Sequence, residues 1–394
     1  MARIVQILEQ TVSLASGMNN AGINFQHMTA SLVVMVSDVV RDGRPVVGVA
    51  FDSIGRYGHG ALLRERFIPR IMAAHPDSYQ ADHGDGVDPF KLWEIMMANE
   101  KVGGHGERAG SVGILDAAAW DLQAKIEGKP LWGLLNERFP GAAQPGRTPI
   151  YASGGHYRPG VDASGLAEEI LGYRRLGYDR FKIKAGGLPL EQDLERIEAV
   201  IQAIDGKASS LSIDFNAGLT LENADRSIAA VDAYGLAWIE EPVDPLDYQL
   251  LAQLAQQCTT ALGAGENLFA YAEARNLVRY GGLRADKDYI NIDISLSYGI
   301  VEYLRILDLM RSHGWQASSF VPHAGHLLSA HVAAGLGLGG HETAPSHALL
   351  GAYPDDYRVT DGYLHLSERP GSGVDAMPGL QPAIRDLLSS TLVS

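Results

Sequence analysis

Seven ionisable residues recur at nearly even spacing in the second half of the chain: Lys184, Asp214, Glu240, Glu266, Asp293, His323 and Glu342. Their separations are 30, 26, 26, 27, 30 and 19 residues, close to the length of one strand–loop–helix unit. Each therefore falls at an equivalent place in successive units. An acidic chain will show some carboxylates at such spacing by accident, but a ladder of seven is hard to obtain that way. A further lysine, Lys182, lies two residues before Lys184 in the segment "RFKIKAGG". Side chains alternate along a strand, so the two lysines share a face.

The chemistry sorts by type. Asp214, Glu240 and Glu266 come from consecutive segments and would converge, and three unneutralised carboxylates repel. A hard divalent cation resolves the repulsion, and Mg²⁺ suits an all-oxygen donor set that leaves positions open. Glu241, the next residue, points to the opposite face and reads as a structural ion pair or hydrogen bond. On one flank stand Lys182 and Lys184, and a lysine close to a second cation and a metal has its pKa lowered toward that of a base. On the other, Asp293 would orient His323 as a general acid or base. Two proton carriers facing each other across a metal suit proton abstraction beside a carboxylate, the metal stabilising the enediolate.

Positioning such a ladder takes repeated strands. Eight short apolar segments alternate with amphipathic helical stretches from about residue 148: "PIYASGG", "RFKIKAGG", "SLSIDFNAG", "LAWIEEP", "ALGAGEN", "DYINIDIS", "QASSFVPH" and "LGLGGHETA". Eight strands separated by helices predict a closed parallel barrel, with its polar residues at the C-terminal mouth. The preceding residues differ. Segments 31–40 and 45–51 flank Asp42-Gly43, a hairpin signal, and a helix is expected over roughly 108–127, ending at Gly128. This is the pattern of an α+β unit.

Bulk composition narrows the alternatives. A formal charge of −15 on 394 residues argues against nucleic-acid or membrane-surface binding. The single cysteine, Cys258, excludes an internal disulfide and fits a reducing cytoplasm. The N-terminus is too polar for a secretory signal, and no apolar run is long enough to span a bilayer. Histidines 313, 326, 331 and 347 read as surface or satisfied core residues, while His341 adjoins the ladder. "GHGERAG" (104–110) lacks the preceding strand that a phosphate loop needs.

The motifs together resemble the enolase superfamily, in its mandelate racemase group of acid-sugar dehydratases. The carrying residues are "KIK" (182–184), "DFN" (214–216), "IEEP" (239–242), "GEN" (265–267), "NID" (291–293), "VPHAGH" (321–326) and "DAAAWDLQAKIEGKPLWGLL" (116–135). The match runs over essentially the whole chain. It implies a modified (β/α)7β TIM barrel over 146–349, capped by an α+β domain over 1–145 that segment 350–394 completes. It implies Mg²⁺ on Asp214, Glu240 and Glu266, with Lys184 and the Asp293–His323 dyad as opposed acid/base groups. Lys182 would hold the substrate carboxylate and keep Lys184 able to lose its proton, and Glu342 would hydrogen-bond the carboxylate or enediolate.

More narrowly, "GRYGHG" (55–60), "NEKVGGHGER" (99–108), "GENLFAYAEARNLVRYGG" (265–282), "LSYG" (296–299) and "VPHAGHLLS" (321–329) resemble the tartrate dehydratase subgroup. That likeness implies substrate contacts from Lys101, Tyr57, Asn216, Asn267, His341 and position 21 of the loop near 17–28. Ile54 and His341 stand where the subgroup carries asparagine, which bears on the substrate. The expected activity is Mg²⁺-dependent dehydration of a small acid sugar or hydroxy-dicarboxylate to a 2-keto acid, with Lys184 as base and His323 as acid. The alternative is racemisation or epimerisation of a 2-hydroxy acid by the same two groups. A non-catalytic scaffold would be expected to lack a ligand or a base, and here the set is complete. The family usually associates into dimers or octamers, so a homo-oligomer is expected.

Overall fold

In the N-terminal part, strands β1 (Ile4–Ser13), β2 (Thr29–Arg41) and β3 (Arg44–Phe51) form an antiparallel sheet in that order. The β2–β3 turn is the expected one: Asp42 and Gly43 take φ values of 50° and 73°, as a type I′ hairpin needs. The structure is a computed structural model describing residues 2–13, 18–53, 56–82, 86–347 and 349–389.

The expected long helix spans Glu107–Glu127 and ends at Gly128 in the left-handed region, φ 69°. A helix lying on a surface buries one face, yet residues from Ala109 to Lys125 are all buried. The helix is a central layer, with the sheet on one side and the barrel on the other. Glycines permit both approaches. A Cβ on Gly48 of β3 would meet Ala118 O at 2.1 Å, and one on Gly113 would meet Ser295 O at 1.9 Å. Buried Asp116 fixes the docking by accepting the backbone N–H of Ile300, at 2.6 Å, at the start of a barrel helix (Gly299–Ser312).

The barrel strands β4 (Arg147–Gly154), β5 (Phe181–Lys184), β6 (Leu211–Asp214), β7 (Ile239–Glu240), β8 (Leu262–Ala264) and β9 (Tyr289–Ile290) pair in parallel and in order. Phe320 bridges Ile290 as the seventh stave, and β10 (His341–Thr343) returns to β4, closing the barrel. Seven helices, from Ala163–Arg175 to Leu327–Leu336, fill the connections. All eight expected segments are barrel staves, although the seventh is reduced to a single bridge. The fold is a (β/α)7β barrel with an α+β cap.

The C-terminal segment divides rather than simply completing the cap. Strands β11 (Arg358–Thr360) and β12 (Tyr363–His365) form a hairpin that pairs antiparallel with β4 of the barrel. Only the later part, with the helix Gln381–Ser389, packs against β1 and β2. The turn at Asp361-Gly362, both at positive φ, sends this chain back along the barrel edge. Among the described residues no helix is long and apolar enough to cross a membrane.

Candidate active site

The ladder converges at the barrel mouth because each member lies on or just after a barrel strand whose alternate residues face inward. In-register pairing sets Lys184 beside Asp214 and Asp214 beside Glu240. Asp214, Glu240 and Glu266 each offer an oxygen, all within 4.8 Å of one another. Glu266 Oε2 is buried without a hydrogen-bond partner, its neighbour His323 Nε2 lying 3.5 Å away. Three convergent carboxylates, one with an unused buried oxygen, fit a hard divalent cation.

The two lysines face inward as expected, and each is held by acids. Lys182 Nζ lies 2.5 Å from Glu240 Oε1 and 3.1 Å from Glu342 Oε1, and Lys184 Nζ lies 2.6 Å from Asp214 Oδ2. Burial works hardest to lower the Lys184 pKa and Lys182 presses the same way, but the carboxylates of Asp214, Glu266 and Glu342 together raise it. The carboxylates thus counter the like-charge repulsion from Lys182. Burial and the charges of Asp214, Glu342 and Glu266 push Glu240 up to about 7 despite Lys182. Trp238 Nε1 donates to its other oxygen at 2.8 Å.

Across the mouth, His323 Nδ1 lies 3.1 Å from Asp293 Oδ2. Burial opposes protonation of the ring, but Glu266, Asp293 and Glu342 raise its pKa to about 10. Asp293 is itself fixed: Oδ1 accepts the Leu296 N–H at 2.9 Å, and Oδ2 accepts the Ser53 hydroxyl at 2.5 Å. Ser53 follows β3, so the cap touches the dyad directly. The carbonyl of Phe51 accepts His326 Nε2 at 2.8 Å, and their rings stack, pinning the same segment from a second side. Glu342 Oε2 accepts the Ala324 N–H at 3.0 Å, which ties the last strand to the histidine loop.

A cavity of about 120 Å³ opens above these groups. Lys184, Glu266, His323, Glu342, Asn216 and Asn267 line it from the barrel, and Met18, Asn20, Ile23, Phe25 and Arg56 from the cap. Asn216 donates from its backbone and side chain to Asp214, at 2.8 and 3.0 Å. Asn267 donates to Glu241 at 2.7 Å, so Glu241 is a hydrogen-bonded structural carboxylate. Its φ of 36° ends the strand and turns it toward Asn267.

Other expected contacts are not at the cavity. Lys101 is exposed, its carbonyl accepting Arg108 Nη1 at 2.8 Å. Tyr57 is 57% exposed. Residue 21 is Ala21 and has no polar group to offer; Asn20 lines the cavity instead. His341 precedes the inward-facing Glu342, so it takes the opposite face of β10. It is fully buried there, and burial drops its pKa to about 3. Ile54 lies outside the described residues.

The sequence reading missed Ser53, Arg56 and His156. His156 lines the cavity, with burial and then Lys184 lowering its pKa to about 3, which keeps the ring neutral. It stands two residues after β4, the one strand end without a ladder member, and that position was the available signal. "GHGERAG" is absorbed by the cap–barrel contact. Glu107 meets His59 at 2.8 Å, and Arg108 Nε donates to the Tyr298 hydroxyl at 2.8 Å.

Residues 165–379 match the model of the enolase C-terminal domain-like family, and the chain belongs to that family. Among its relatives is the L-talarate/galactarate dehydratase of Salmonella typhimurium, 29% identical over 299 residues, covering 74% of this chain and 71% of that one. Another is the 3,6-anhydro-alpha-L-galactonate cycloisomerase of Streptomyces coelicolor, 28% identical over 286 residues, covering 72% and 74%. The L-talarate dehydratase of Polaromonas sp. JS666, solved with Mg and L-glucarate, superposes with a TM-score of 0.76 at 25% identity over 95% of both chains.

Proposed function

We propose that this protein is a Mg²⁺-dependent hydro-lyase that dehydrates a small hydroxy acid of the acid-sugar or tartrate-like type to a 2-keto acid. The observation that carries the reading is that Lys184 and His323 line one cavity with the carboxylate triad between their strands. Relatives that dehydrate talarate and galactarate, and a neighbour holding Mg, support the same class. Residues 1–145 act as the cap in this reading, and residues 146–349 as the barrel that performs the chemistry.

Asp214, Glu240 and Glu266 would hold the cation, which neutralises the triad and favours the charge that develops on a carboxylate as its α-carbon loses a proton. Lys182 Nζ lies between Glu240 and Glu342, at 2.5 and 3.1 Å, and offers a fixed positive charge to the same substrate carboxylate. Lys184 serves as base. It must be neutral to do so, and the Asp214 charge that keeps it protonated is the one a cation would draw away. His323, held as imidazolium by three carboxylates, serves as acid. The C–H electron pair becomes the new C=C bond as the β C–O bond breaks. His323 Nε2 gives its proton to the departing hydroxyl, water leaves, and the enol tautomerises to the keto acid.

Racemisation would use the same two groups from opposite faces, and the S. coelicolor cycloisomerase is a relative that isomerises. Incubating an acid-sugar library with protein and Mg²⁺ separates the outcomes. Keto acid from at least one member supports dehydration. Inversion with solvent deuterium and no keto acid replaces it with the racemase.

A further inference from the structure

One cation reaches the cavity from the cap. Arg56 is half-buried at the cavity edge beside Asn20, Ile23 and Phe25. Its Nη2 donates to Asn267 Oδ1 at 2.6 Å, and its guanidinium lies 4.7 Å from the centroid of the Phe269 ring. The Asn267 amide nitrogen is 2.7 Å from Glu241 and 3.4 Å from Glu266, a triad member. A single amide group therefore separates the guanidinium from the acidic centre.

Arg56 lacks a matched anion. Glu107, whose carboxylate feels its charge, is held by His59 at 2.8 Å. Among the described residues no carboxylate lies within ion-pair distance of Arg56, and its one hydrogen-bond acceptor is a neutral amide oxygen. A guanidinium drawn partly out of water against apolar side chains costs free energy unless a negative group meets it. The remaining N–H groups of its planar fork suit two parallel bonds to a carboxylate, whereas a hydroxyl would leave the charge unmatched.

We infer that Arg56 is a distal-carboxylate site, so that the preferred ligand is a hydroxy acid with a carboxylate at each end, one at the triad and the other on Arg56. The inference rests on the proposed reading only in assigning the reacting carboxylate to the triad end. Arg56 thus reaches the cavity from the cap, as resemblance implied for Lys101.

Titration calorimetry with Mg²⁺ present tests this on matched pairs. The four-carbon pairs are the tartrate stereoisomers against erythronate and threonate, and the six-carbon pair is galactarate against galactonate. At least one diacid is expected to bind about tenfold or more tightly than its monoacid. Arg56→Gln should remove that preference, leaving monoacid affinity within about twofold, and Arg56→Lys should restore part of it. Equal affinities within every pair, or equal losses for both members in Arg56→Gln, overturn the assignment. Selective diacid binding without keto acid or α-proton exchange keeps this site and refutes the dehydratase reading. Equal turnover of monoacids and diacids does the opposite.

Discussion

The two walls of the cavity are built on different principles. On the barrel wall every charged group stands on or just after a barrel strand, and its neighbours are other charges: Lys182 with Glu240 and Glu342, Lys184 with Asp214, His323 with Asp293 and Glu266. On the cap wall the polar groups follow β3 or sit in the loop before β2, and single hydrogen bonds join those after β3 to the barrel. Ser53 reaches Asp293, and Arg56 reaches Asn267. A network of mutually opposed charges resists change as a unit, whereas a single contact can be altered without disturbing the rest. Substitutions on the barrel wall should therefore stop the chemistry, and substitutions on the cap wall should redirect or slow it.

Among substitutions that keep both proton carriers, the largest effect is expected at Glu240. Glu240→Gln removes a charge from the triad and leaves the fully buried Lys182 without its nearest counter-ion. Turnover should fall by roughly three orders of magnitude, with Mg²⁺ uptake weakened in calorimetry. Unchanged uptake would mean that the triad is not the metal centre.

Ser53→Ala should have an intermediate effect and distinguish the walls most sharply. Losing the 2.5 Å bond frees one side of Asp293 without touching Lys184. Elimination, which needs the His323 proton, should slow by about tenfold, while wash-in of solvent deuterium at the α-carbon slows less. Equal slowing of both steps would reduce Ser53 to a general structural role.

The smallest effect concerns the cap alone. Burial disfavours the His59 imidazolium, but Asp52 and Glu107 overcome this and raise its pKa to about 9, from an ordinary 6.5. A group whose pKa is raised on folding stabilises fully below its unfolded value, and the gain is lost as pH climbs through the folded one. Melting temperature should thus fall by a few degrees between about pH 6.5 and pH 9. His59→Gln should flatten that slope, and an unchanged slope would place its origin elsewhere.

The same division explains what the sequence revealed. Barrel strands impose a period, so Lys184, Asp214, Glu240, Glu266, Asp293, His323 and Glu342 could be selected from spacing alone, and all lie at the mouth. Asp42-Gly43 and Gly128 were equally legible, because their turns depend on local backbone chemistry. Ser53 and Arg56 carry no such signal. Ser53 meets a partner 240 positions away and Arg56 one 211 positions away, through a docking set by Gly113, Gly48 and Asp116. Lys101 is not among the cavity-lining residues for a related reason: the course of its loop depends on tertiary packing. The charge balance around Lys184 was not legible either. Spacing gave its neighbours, but which of them would outweigh the others depended on distances.

The central claim is that Lys184 and His323 transfer protons to one substrate from different sides. The most direct test follows Lys184→Ala and His323→Ala with a turned-over acid in D₂O, by NMR at the α-carbon and by assay of keto acid. Lys184→Ala should abolish both deuterium exchange and keto acid, whereas His323→Ala should retain exchange and lose keto acid. Keto acid formed near the wild-type rate by either variant would contradict the account.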